Sequence, residues 1–96
     1  MLTWVIYDIA STKTRNSIIR KCKNVGLYRV QKSVFLGDLE DNKFDELKLE
    51  LDSIIDKYKD SVYVFPMSKA ELNKAGLLGQ AFDKELVTDE IISKFF

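Results

Sequence analysis

Hydrophobic positions fall into short runs whose period changes along the chain. Over residues 2–9, Leu2, Trp4 and Ile6 take one parity and Val5, Tyr7 and Ile9 the other, so a strand here would be apolar on both faces. Ser11 or Thr12 can then cap a helix in which Ile18, Ile19, Cys22 and Val25 recur at helical spacing, with Gly26 as its stop. Residues 28–36 are β-rich, and Gly37 and Asp38 read as turn residues. From Asp41 or Asn42 a longer helix carries one stripe made of Phe44, Leu47, Leu51, Ile54, Ile55 and Tyr58. Residues 61–67 return to a strand pattern. Ser68 with Glu71 then forms a capping box for a short helix ended by Gly76. Residues 77–82 suit a further strand, and Ile91, Ile92, Phe95 and Phe96 make an apolar tail whose spacing fits strand or helix.

The pattern describes one α+β domain over residues 1–96. Both strands at 2–9 and 61–67 are apolar on both faces. Three helices cover one face of a four-stranded sheet, so a second copy of the chain is the expected cover for the other, helped by the tail. An apolar share of 46% supports a core in a chain this short. No apolar run approaches the roughly 20 residues that span a bilayer, and the start lacks the layout of a signal peptide, so a cytoplasmic protein with no membrane partner is expected. With one cysteine and no histidine, an internal disulfide and a Cys/His zinc site are both excluded.

Charge is zero overall but unevenly placed. Residues 1–37 hold seven Lys or Arg against Asp8 alone, while residues 38–60 hold nine acids against four lysines. Either one side of the molecule presents a surface for a polyanion, or the two segments lie together and neutralise each other.

The combination of Tyr7-Asp8-Ile9 at the end of the first strand, a basic residue at Arg15, and the unbroken GLYRVQKSVFLGDL of residues 26–39 resembles the CRISPR-associated proteins of the second core family, the smaller partners of the CRISPR integrase. The likeness runs from residue 4 to about residue 65. It implies a ferredoxin-like βαββαβ sandwich with a C-terminal extra strand or tail, and a homodimer packed sheet to sheet. It also implies a role in CRISPR adaptation and, for many members, metal-dependent endonuclease action on RNA or DNA. The family fold asks for a hairpin between the two long helices, although residues 28–35 contain no Gly or Pro turn. Two positions depart from the family pattern: Ser17 stands where a second basic residue is common, and Leu36 where an acid often follows the phenylalanine.

On this resemblance Asp8 is the candidate catalytic and metal-binding residue. It continues the parity of Leu2, Trp4 and Ile6, and two copies across a two-fold axis would offer Mg²⁺ the paired hard oxygen ligands that one cannot. Without the resemblance, Asp8 reads as a helix-capping or turn carboxylate at the end of the strand, stabilised by the N–H groups of the helix that follows. Lys13, Arg15, Arg29 and Lys32 are the candidate phosphate contacts, or ordinary solvated charges. Tyr7 and Phe35 are candidates for base stacking, or else aromatics of the core or the dimer interface. Three functions follow: a Mg²⁺-dependent endonuclease, a non-catalytic DNA-binding scaffold for the integrase subunit, and a ribonuclease toxin resembling virulence-associated protein D.

Overall fold

A computed structural model describes residues 1–79. The elements run β1 (Leu2–Asp8), α1 (Thr12–Asn24), β2 (Tyr28–Gln31), β3 (Val34–Asp38), α2 (Asp41–Ile54), β4 (Ser61–Met67) and α3 (Lys69–Lys74). The strands form one antiparallel sheet in the order β2-β3-β1-β4, the βαββαβ arrangement of a ferredoxin-like fold.

Local chemistry sets the ends of the helices. Ser11 caps α1, its hydroxyl accepting the Thr14 N–H at 3.1 Å. α1 ends in a Schellman turn: Gly26, at φ +93°, donates to the Lys23 carbonyl, and Leu27 donates to that of Cys22. At α3 both halves of the expected Ser68–Glu71 capping box are made.

α1 and α2 cover one sheet face. Val5, Tyr7, Ile9 and Phe35 from the strands meet Ile18 and Cys22 of α1 and Phe44, Leu47 and Leu51 of α2. Burial pushes the Cys22 thiol up to about 12, which makes this cysteine an inert core residue.

The second face departs from the expectation that all three helices share one side. α3 crosses over, and Leu72 and Leu77 pack on Leu2, Trp4, Val30, Val34, Leu36, Phe65 and Met67. Because α3 starts directly after Met67, which pairs with Leu2, its cover lies over the end of β1 remote from Asp8. Toward the other end Ile6 is half-buried, Asp8 is exposed and Tyr63 is 63% exposed.

Three more expectations change. Gly37 and Asp38 lie inside β3 and not in a turn. A Cβ on Gly37 would sit 3.0 Å from Leu27 Cδ2 and 3.2 Å from Leu27 Cα, so glycine there serves close packing. Tyr58 lies past the end of α2 and is 99% exposed, because the chain leaves the helix at Ile55. Residues 77–79 contain no strand, while the rest of that stretch and the apolar tail lie outside the described residues.

Candidate nucleic-acid interface

The hairpin between β2 and β3 has its turn at Lys32 and Ser33, neither of which adopts a positive φ. Side chains take the place of the usual glycine. The Lys32 carbonyl accepts the Tyr7 hydroxyl at 3.0 Å and two donors of Arg29, Nε at 3.2 Å and Nη2 at 2.8 Å. The Ser33 N–H donates to the Gln31 side-chain oxygen at 2.9 Å, and the Ser33 carbonyl accepts the Tyr7 N–H at 3.1 Å. Tyr7 therefore ties the turn to β1 from both its backbone and its ring. Burial raises the Tyr7 phenol above its ordinary range, against the pull of the nearby Arg29 and Arg15 guanidiniums.

Those guanidiniums bring the basic residues together. Arg29 leaves the edge strand and folds back on the turn that carries Lys32. Half-buried Arg15, in the first turns of α1, donates from Nη2 to the Ile9 carbonyl at 3.4 Å. Both arginines have one edge on a main-chain carbonyl and donors to spare for a phosphate. Lys13 is exposed and stands apart on the first turn of α1. Lys13, Arg15, Arg29 and Lys32 join no ion pair among the described residues. Of the basic side chains in residues 1–37, Lys21 alone meets an acid there, Glu50 of α2 at 3.3 Å. Among the described residues the reading in which the two segments neutralise each other is thus met at two pairs, this one and that of the Met1 ammonium with Asp38 at 3.0 Å.

Asp8 closes β1 between Ser61, its partner on β4, and the Lys32–Ser33 turn. Its carboxylate is exposed and makes no hydrogen bond or ion pair among the described residues. The capping alternative fails, since Ser11 occupies that role. By strand alternation Asp8 shares the second face with Trp4 and Ile6.

Tyr7 and Phe35 lie on the opposite face. At 4% and 0% exposure, their rings 6.3 Å apart beneath the helices, they are core residues and available neither to a base nor to a partner sheet. What Tyr7 contributes is its hydroxyl, on the turn.

The side chains described do not by themselves make a metal site. Mg²⁺ takes oxygen ligands, of which the Asp8 carboxylate is of the right kind, but no group of three acidic, Cys or His side chains that could hold a metal ion exists among the described residues. One chain thus offers one carboxylate.

Asp60 carries no local sequence signal for its role beside this site. Its Oδ1 accepts the Ala10 N–H and its Oδ2 the Asp56 N–H, both at 2.9 Å, and these two bonds hold its carboxyl below the usual range. The spacing Asp56-x-Tyr58-x-Asp60, where the Asp56 side chain accepts the Tyr58 N–H, is an Asx-turn signal that marks only the loop.

The family model described as CRISPR associated protein Cas2 matches residues 1–75. The CRISPR-associated endoribonuclease Cas2 of Desulforudis audaxviator is 38% identical over 72 residues, 75% of this chain and 68% of that one. The CRISPR-associated endonuclease Cas2 of Halalkalibacterium halodurans is 33% identical over 84 residues, 82% of this chain and 86% of its own. The crystal structure of Streptococcus pyogenes Cas2 matches with a TM-score of 0.70 at 28% identity, over 82% of this chain and 100% of that one. Sequence and fold agree, and the chain belongs to the CRISPR-associated Cas2 family.

Proposed function

We propose that two copies of this chain form a Mg²⁺-dependent endonuclease that hydrolyses phosphodiester bonds of RNA or DNA in CRISPR adaptation, in the cytoplasm and beside a CRISPR integrase subunit. One observation carries this reading: the Asp8 carboxylate, exposed and without a partner among the described residues, closes β1 directly after Tyr7, the residue on whose hydroxyl Arg15 and Arg29 act and which bonds the Lys32 carbonyl. Relatives named as endoribonucleases and endonucleases support it. Two Asp8 carboxylates, one from each copy, would hold Mg²⁺, which when bound supplies an activated water and neutralises charge on the phosphate. Arg15 and Arg29 bind and orient the phosphodiester with the N–H groups not spent on carbonyls, and Lys32 and Lys13 add charge along the backbone of the nucleic acid. With no histidine in the chain, no imidazole base takes part.

The scaffold reading keeps one observation in its favour, since a single chain brings no cluster of ligands to Asp8 among the described residues. Cleavage of labelled single-stranded RNA and duplex DNA, with and without Mg²⁺, separates the two. Asp8→Asn should abolish Mg²⁺-dependent cleavage while leaving dimerisation and affinity intact. Equal cleavage by wild type and variant would leave only the scaffold.

A further inference from the structure

The connection from β1 to α1 links Asp8 to Arg15, and a single peptide unit controls it. The Ile9 carbonyl accepts Arg15 Nη2 at 3.4 Å, and the Ala10 N–H donates to Asp60 Oδ1 at 2.9 Å. These two groups belong to one planar amide, so neither can turn without the other. Past Ala10 the helix start is rigid, since Ser11 caps it and its carbonyl accepts the Arg15 N–H at 2.9 Å. Before Ile9, Asp8 is held by the sheet. The orientation of the Ile9–Ala10 amide is therefore the main-chain variable that sets where the Ile9 carbonyl meets the Arg15 guanidinium.

Asp60 is well placed to fix it. Its second oxygen accepts the Asp56 N–H, and its own N–H donates to the Asp56 carbonyl at 2.8 Å, so the carboxylate is braced within its loop. The next residue, Ser61, is the β4 partner of Asp8. The same loop thus grips β1 beside Asp8 and the amide two residues later.

The geometry points to Asp60 as a positioning residue that orients the Ile9–Ala10 peptide plane and through it aims the Arg15 guanidinium at the end of β1. This rests on the reading of Arg15 as a phosphate contact, and it predicts that Asp60 and Arg15 act as one unit. The acid at position 60 touches no phosphate. Its removal should nonetheless free one phosphate from the protein, an outcome that simple electrostatics would reverse, because deleting a negative charge normally strengthens binding to a polyanion.

The test is the salt dependence of binding to a short labelled duplex DNA for the full chain and its Asp60→Ala, Arg15→Ala and doubly substituted forms. Asp60→Ala should lower the log-log slope as much as Arg15→Ala, by roughly one unit for each phosphate no longer bound, and the double variant should match either single one. A wild-type slope or tighter binding in Asp60→Ala overturns the proposal, as does an additive fall in the double variant. If Asp60→Ala does not fold, Asp60→Asn, whose remaining oxygen can still accept the Ala10 N–H, should keep the wild-type slope although its charge is gone, and a lowered slope in that variant would overturn the proposal. Because the readout is binding, a failure of Asp8→Asn to affect cleavage would remove the endonuclease reading without deciding this one. Absence of binding by the wild type to this duplex and to single-stranded RNA alike would overturn both.

Discussion

Replacing Arg15 and Arg29 together by alanine should flatten the salt dependence of nucleic-acid binding. Each guanidinium keeps free donors after its bonds to the Ile9 or Lys32 carbonyl, so each can hold one phosphate. A bound phosphate contributes about 0.9 to the slope of log affinity against log salt on duplex DNA and about 0.7 on single strands, so the pair accounts for about 1.4 to 1.8 per chain. Between about 50 and 200 mM salt, wild type should therefore lose roughly tenfold more affinity than the variant, and more if both copies of a dimer engage. Fluorescence anisotropy across a salt series measures this. Arg29→Ala also removes two donors from the Lys32 carbonyl, so it loosens the turn as well as removing charge. Arg29→Lys controls for that: it keeps the charge and loses the fork, so the slope should survive while the hairpin weakens. An unchanged slope in the double alanine variant would refute the placement of the nucleic acid at this end of the sheet.

Three further outcomes follow from the packing. Tyr7→Phe should cost about 0.5–1 kcal/mol in urea unfolding, the low end for a hydrogen bond because the Lys32 carbonyl keeps its Arg29 donors; a cost above about 2 kcal/mol would mean the turn has no other support. Gly37→Ala should destabilise by about 1–3 kcal/mol, since the new Cβ meets Leu27 backbone that cannot rotate away, and a neutral result would show that β2 and β3 separate freely. The Asp60 and Glu71 carboxyls are held below their ordinary range by backbone N–H groups, so the stability they add is full above the unfolded carboxylate pKa and fades as pH falls through the folded one. Melting temperatures should be level from about pH 6 to 8 and drop below about pH 4, with a shallower drop in Asp60→Asn.

The elements with strong periodicity were legible in the sequence: β1, α1, α2 and β4 lie where the apolar spacing puts them, and Ser68 and Glu71 cap α3 as their spacing requires. What was illegible depended on distant partners. The Lys32–Ser33 turn lacks any glycine because Tyr7, 25 residues away in sequence from Lys32, and Arg29 bind its carbonyl, and no local pattern encodes that. Gly37 looked like a turn residue because glycine in a strand and glycine in a turn differ only in what packs against them, here Leu27. Tyr58 continued the α2 stripe by spacing, yet the Asp56–Asp60 loop had already ended the helix. At the candidate site, the family motif singled out Asp8 and Arg15, while alternation alone already put Tyr7 on the face opposite Asp8. The brace supplied by Asp60 spans 50 residues and became visible only in three dimensions.

Whether two Asp8 carboxylates, one from each copy, serve one cleavage site is open to direct measurement in mixed dimers. Co-refolding wild type with Asp8→Asn in varied ratios gives such dimers, and Mg²⁺-dependent cleavage can be followed against the wild-type fraction. If both carboxylates are needed, activity follows the square of that fraction, with about a quarter remaining at equal proportions. Activity in direct proportion to the wild-type fraction would rule out the shared site, because one Asp8 would then suffice.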